Sequence, residues 1–226
     1  TEVVPRDSNF LVLCILNRMQ RAFLFSLYSP KHYCKKIRQK KERVFKMAQN
    51  YYQKEIATMS REDMKKLQSE KLVKQVKHVY ENVAYYRDLM DKKGVKPEDI
   101  QTLADLAKLP FVTKQDMRDN YPFGLFAVPK SELVRIHASS GTTGKPTVVG
   151  YTQGDLETWT DCVSRIACMG GASSHDVAQI CFGYGMFTGA LGLHYGLEKI
   201  GAAIVPSSTG NSEKQLMYMK DFGTTV

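Results

Sequence analysis

Ser139-Ser140-Gly141-Thr142-Thr143-Gly144-Lys145-Pro146-Thr147 concentrates hydroxyls, two glycines and a lysine in a few residues. That composition suits the binding of an anion. Glycine lets backbone N–H groups turn toward a ligand with no side chain in the way. Hydroxyls donate to phosphate oxygens, and a lysine adds a point charge. The run is not a Walker loop, which needs four residues between its glycines and a Ser or Thr directly after the lysine. Here only Thr142 and Thr143 separate Gly141 from Gly144, and Pro146 follows Lys145. A glycine- and threonine-rich turn of this kind forms a nest of N–H donors suited to a triphosphate. Each charge-assisted bond there would contribute about 1.5–3 kcal/mol.

A second constellation runs from Phe182 to Tyr195. Gly183, Gly185, Gly189 and Gly192 are interspersed with Phe182, Tyr184, Met186, Phe187 and Leu191. In a strand-to-helix connection the glycines permit close backbone approach, and the aromatics can wall an apolar slot. An aryl ring packed edge-to-face on Phe gains about 0.5–1.5 kcal/mol beyond burial. Ordinary core packing is the competing explanation for any single aromatic. His137 and His194 have no Ser or Asp partner at triad-like positions and read as structural. Lys114 reads as a surface lysine at a helix start. Asp155, Glu157 and Asp161 read as a solvated helix face rather than metal ligands.

Elements must position these groups. Residues 60–93 predict one helix, capped by Ser60, with Glu62 and Asp63 complementing the dipole and Gly94 after its end. Leu72, Val76, Val79 and Val83 form its buried stripe. Ile100, Leu103, Leu106 and Leu109 suggest a short helix ending at Pro110. From Leu133 strands and helices alternate: strands at 133–137, 147–151, 177–182 and 202–205, helices after Thr152, at 189–200 and at 212–221. Leu156, Trp159, Val163 and Ile166 share the first of these helices' apolar face. The expectation is an α/β fold: a mixed, largely parallel sheet with flanking helices, preceded by a helical N-terminal region. Three parts follow: 1–54 as a leader, 55–132 as a helical region, and 133–226 as an α/β subdomain.

The chain has 226 residues and a net charge of +9. Residues 1–93 hold 21 Lys and Arg against 10 Asp and Glu, and the remainder is slightly acidic. No nucleic-acid motif accompanies the basic half, so solvated helix faces are expected and nucleic acid is not a partner. The five cysteines show no C-x-x-C spacing, which argues against a disulfide framework or zinc and for buried free thiols in a reducing cytoplasm. The apolar run Phe10–Leu16 is far shorter than the about 20 residues that span a bilayer. Charge follows it, unlike a secretory signal. An interfacial helix over 10–28 is the membrane alternative, weighed against a leader with no membrane role.

Ile136-His137-Ala138 and the run after it resemble the phosphate loop of AMP-forming acyl/aryl-CoA synthetases. Thr147 stands where most of that superfamily has a basic residue, a departure shared by the phenylacetate–CoA ligase branch. Leu109-Pro110-Phe111-Val112-Thr113-Lys114, Asn120-Tyr121-Pro122-Phe123-Gly124-Leu125-Phe126-Ala127-Val128-Pro129 and Phe182–Gly189 through His194-Tyr195-Gly196 resemble that branch too. The likeness runs from about Glu55 to Val226. It implies the adenylate-forming fold, with Ser139, Ser140, Gly141, Thr142, Thr143, Gly144 and Lys145 holding ATP while a carboxylate attacks its α-phosphate. It places Phe182, Tyr184, Phe187, Gly189 and Leu193 along the acid pocket. Some relatives carry Tyr and Ala where this chain has Phe182 and Leu193. By the resemblance, Leu193 would make the slot smaller than Ala would, and Phe182 would lose a hydroxyl for reading a substituted ring.

The resemblance further implies an aryl acid, ATP and coenzyme A as reactants, Mg²⁺ with ATP, a cytoplasmic setting and a homodimer of the full-length protein. The family's metal carboxylate, ribose aspartate and catalytic lysine would lie beyond Val226, where a strand is starting. The chain then reads as an N-terminal fragment that does not complete the reaction alone. Two alternatives remain at this stage: an adenylating enzyme with another acceptor, and a non-catalytic nucleotide-binding or membrane-associated module.

Overall fold

The computed structural model describes residues 51–139 and 144–226. The N-terminal leader up to residue 50, and Ser140, Gly141, Thr142 and Thr143 of the candidate cradle, lie outside the described residues.

Helix α1 is a single turn, Lys54–Ala57. Two helices, α2 (Arg61–Asn82) and α3 (Ala84–Lys92), stand where the sequence predicts one. Ser60 caps α2 by accepting from the Asp63 N–H, as expected. The break is at Val83, which is buried but adopts extended dihedrals (φ −120°, ψ 103°). A β-branched residue tolerates that backbone readily. The turn lets Met90 fold back beside Val76, and both join Val95 and Ile100 in one buried cluster. A straight helix would have carried Met90 away from Val76 by about 1.5 Å per residue. Gly94 follows α3 at φ +70°, a left-handed conformation that favours glycine.

Ile100–Leu109 forms a 3₁₀ helix, Leu103–Lys108, rather than an α-helical turn. Ile100 is fully buried, whereas Leu106 faces out. Helix α4, Lys114–Asp119, begins on a capping box in which Thr113 accepts from Asp116 N and the Asp116 carboxylate accepts from Thr113 N. Such a cap contributes about 1 kcal/mol. Hydrogen bonds from Thr113 and Tyr85 hold the Asp116 carboxyl down at about 2, and the same contact pushes the Tyr85 phenol up to about 12.

Strands β1 (Arg135–Ala138) and β2 (Val148–Tyr151) pair antiparallel, with His137 opposite Val149. Helix α5, Gln153–Met169, opens on the Thr152–Asp155 capping box. Then come β3 (Val177–Gln179), α6 (Gly189–Lys199), β4 (Ala203–Val205) and α7 (Ser212–Asp221). β3 and β4 pair parallel across α6, the β–α–β unit the alternating pattern implied. Thr225 N–H donates to Val177 O and Val226 O accepts from Gln179 N–H, so the last residues run along the other edge of β3. The architecture is mixed α/β. Among the described residues its strands form one antiparallel and one parallel pair.

Helices α5 and α6 pack very closely. A Cβ on Gly192 would stand 2.6 Å from the Trp159 ring, and one on Gly196 would stand 2.5 Å from the Val163 side chain. Ser164, fully buried, donates to the Gly196 carbonyl at 2.9 Å. Gly192 therefore serves helix packing, not the ligand approach the sequence suggested. Ile166, expected on the buried face, is 55% exposed, because α6 covers only the side carrying Trp159, Val163 and Ser164. Behind the parallel strands sits a cluster of Ala172, Ala178, Ile180, Ala190, Leu197 and Ala202.

Candidate functional site: the hairpin loop and the aromatic connector

The Ser/Gly/Thr/Lys run connects β1 to β2. Its base is closed by a reciprocal pair: Ser139 N–H donates to Thr147 O, and Thr147 N–H donates to Ser139 Oγ, both at 2.9 Å. Ser139 thus closes the loop through its hydroxyl oxygen, a role beyond the ligand contact expected of it. Thr147, singled out in the sequence as a departure from a basic residue, acts here through its backbone. Gly144 has φ +132° with open space where a Cβ would be, a backbone that L side chains rarely adopt. Lys145 is exposed, and its Nζ stands 5.6 Å from the centre of the Tyr121 ring. Tyr121 belongs to the segment 120–129, which also lays Phe126 on β2. A Cβ on Gly150 would meet the Phe126 ring at 2.7 Å. That segment therefore backs the hairpin carrying the loop.

Residues 180–188 connect β3 to α6 without regular structure. The connector reaches β1 through one carbonyl: Met186 O accepts from Ala138 N–H at 3.1 Å and from His137 Nδ1 at 2.9 Å. The two candidate sites thus touch, although 49 residues separate His137 from Met186. His137 is 2% exposed. Its ring meets Tyr151 and Trp159 edge-on, with centroids 5.6 and 6.0 Å away, and Tyr151 stacks on Trp159 at 5.4 Å. Arg135, two residues earlier on β1, lies over the Tyr195 ring of α6 at 4.9 Å.

The five expected pocket residues divide into two groups. Phe182 and Phe187 are 49% and 56% exposed. Tyr184 and Leu193 instead pack against the buried cluster behind the strands. The Tyr184 hydroxyl meets His194 Nδ1 at 3.1 Å, and burial raises its pKa. Gly189 starts α6 with nothing near the position of a Cβ. Lys114 is exposed at the first position of α4, as expected.

Asp155 caps α5, and Glu157 accepts a long bond from Gln153. Asp161 corrects the expectation of a solvated carboxylate. It accepts from Tyr52 Oη at 2.8 Å and from Gln53 Nε2 at 2.9 Å, and pairs with Lys199 at 2.7 Å. Gln53 in turn accepts from Arg165. Lys199 and the Tyr52 and Gln53 donors hold the Asp161 carboxyl down at about 2. No periodic signal marks Tyr52 and Gln53, which lie before the first long helix, so the network was not readable in advance. Among the cysteines described, Cys168 is buried, with its pKa raised by burial, while Cys181 is exposed rather than buried. Cys14 and Cys34 lie outside the described residues.

Among the described residues, no set of three His, Cys, Asp or Glu side chains converges as a metal site. No described helix is long and apolar enough to cross a membrane.

The chain matches no protein-family model. It is 53% identical over 167 residues to phenylacetate-coenzyme A ligase of Aromatoleum evansii, covering 74% of this chain and 38% of that protein. Against the enzyme of the same name from Escherichia coli (strain K12) the identity is 52%, over the same shares. Against that of Thermus thermophilus it is 50% over 175 residues, covering 77% and 39%. The chain therefore spans well under half the length of these curated relatives. Among solved structures, a 2-hydroxyisobutyryl-CoA ligase in complex with 2-HIB-AMP and CoA superposes with TM-score 0.68 at 25% identity. The match covers 74% of this chain and 37% of that one.

Proposed function

We propose that this chain, which belongs to the phenylacetate–CoA ligase family over the residues it shares with those proteins, carries the ATP-phosphate loop and part of the acid pocket of an AMP-forming aryl-acid–CoA ligase. The parent reaction joins an aryl acid such as phenylacetate to ATP, releasing pyrophosphate, and then transfers the acyl group to coenzyme A with release of AMP. The observation that carries the reading is the closed base of the hairpin loop. Ser139 and Thr147 close that base through two reciprocal hydrogen bonds, at the points where the Ser/Gly/Thr/Lys run leaves β1 and enters β2.

In this reading Ser139, Ser140, Gly141, Thr142, Thr143, Gly144 and Lys145 hold the β- and γ-phosphates. Backbone N–H groups and hydroxyls donate, and the Lys145 ammonium offsets charge that builds on departing pyrophosphate. Phe182 and Phe187, both exposed on the connector that meets β1 at Met186, receive the aryl ring. Tyr184, Gly189 and Leu193 shape the pocket from behind. The acid and nucleotide are thereby held as neighbours, which converts a bimolecular attack into an effectively intramolecular one.

Mg²⁺ would accompany ATP, and this reading assigns it no ligand in the chain. Coenzyme A enters as second substrate, with its site outside the residues assigned here. The reading carries with it a cytoplasmic protein and a homodimer at full length. Titration of the chain with ATP tests it. Binding is expected, and Lys145→Ala is expected to weaken it about tenfold, the loss of roughly one charge-assisted bond. Equal and undetectable binding by both proteins would overturn it.

A further inference from the structure

His137 makes a contact that strand pairing does not require. The Met186 carbonyl already accepts from the Ala138 amide. The imidazole of the preceding residue adds a second donor to the same oxygen. A carbonyl accepts only, so Nδ1 must carry a proton, and in the neutral ring Nε2 then has only its lone pair. That Nε2 is buried and has no hydrogen-bond partner among the described residues. A residue needed only for packing between Tyr151 and Trp159 would be better apolar, since an unpaired buried nitrogen is costly. The bond to Met186 is what justifies an imidazole at this position.

Two donors from consecutive residues occupy both lone pairs of one carbonyl. They set where the connector lies and also how its peptide plane is turned. The T-shaped contacts with Tyr151 and Trp159 hold the imidazole in one orientation. We infer that His137 is a positioning residue, which clips the aromatic connector through Met186 to the strand that leads into the phosphate loop and so sets the register between acid and nucleotide. The inference rests on the reading of residues 139–145 as the ATP loop. A shift of about 1 Å between reacting groups can cost about 100-fold in rate, so such a clip has consequences out of proportion to one bond.

The test uses the 226-residue chain with ATP and phenylacetate as probes. Trp159 is the chain's single tryptophan and packs on the His137 ring, so its emission reports locally. Three proteins are compared: wild type, His137→Asn, which keeps an N–H donor near the Nδ1 position, and His137→Leu, which fills the space without a donor. Should His137→Leu not fold, His137→Gln, whose amide nitrogen lies nearer the Nε2 position, replaces it under the same criteria. In the wild type, ATP should tighten phenylacetate binding at least about fivefold, a typical coupling between sites. In His137→Leu that coupling should vanish while each ligand alone binds within about twofold of wild type, and the Ala138 amide should exchange about tenfold faster. His137→Asn should restore both. Wild-type coupling or Ala138 protection in His137→Leu would overturn the clip. Absence of ATP binding to the wild type would instead overturn the ATP-loop reading, and the positioning role with it, whatever the exchange pattern.

Discussion

The α5–α6 interface and the face formed by the hairpin loop and aromatic connector lie side by side and are built by opposite rules. Between the helices, Gly192, Gly196 and Ser164 leave no room for a methyl group. On the adjoining face, Phe182, Met186, Phe187 and Ile136 expose large apolar surface. The two are joined by the His137–Tyr151–Trp159 cluster, one of whose rings is clamped by Gly192. A tightly determined layer thus stands directly behind a loosely covered one. The lesson is that precision on an exposed surface can be supplied from behind, with few contacts on the surface itself.

The largest expected effect breaks the helix layer. Gly196→Leu forces side-chain atoms into Val163 and the Ser164 backbone. Overpacking of this kind should cost about 3 kcal/mol, read as a lowered midpoint in denaturant with a matching change in Trp159 emission. A midpoint within error of wild type would mean that the helices are not held this closely.

Asp161→Asn attacks the layer from its outer edge. Removing the charge that Tyr52, Gln53 and Lys199 share should cost about 1–2 kcal/mol, measured by thermal unfolding. The pH dependence has a definite sign. The folded carboxyl, at about 2, sits below its ordinary value, so its stabilisation is present above that ordinary value and is lost as pH falls toward about 2. The wild type should lose stability over that acid window more steeply than Asp161→Asn.

Lys145→Ala probes the loose face. The roughly tenfold loss of ATP affinity should come with a melting temperature unchanged within about 1 °C, since the side chain is exposed and its neighbour is a single ring. A large drop in stability would move Lys145 from the ligand face to the scaffold. The smallest effect is expected at Phe111, which is 95% exposed despite lying in a segment that resembles the family closely. Phe111→Ser should alter stability by less than about 0.5 kcal/mol.

Much of the local structure was readable from the chain. Ser60 and Thr152 cap the helices they precede because a short oxygen side chain there satisfies an otherwise unpaired N–H. Leu72 and Val76 recur at helical spacing and do turn inward. The Ser/Gly/Thr/Lys run was legible as the connection between two strands, and its spacing excluded the Walker class. Residues whose roles depend on distant partners were not readable. Val83 fits a helical stripe by spacing, yet its backbone is extended, because Met90 gains more by folding back than the helix gains by continuing. Asp161 reads as surface charge until Tyr52 and Gln53 reach it across more than 100 residues of sequence.

By itself, then, the sequence determined most element types, the helix starts, and the position of a glycine- and hydroxyl-rich run between two strands, because capping, periodicity and glycine placement act over a few residues. Only the tertiary structure decided that Met186 meets His137, that Gly192 makes room for Trp159 and not for a ligand, and that Tyr184 turns inward while Phe187 turns out. Those outcomes depend on the approach of segments far apart in the chain, where side-chain volume and hydrogen-bond geometry, not local preference, set the result.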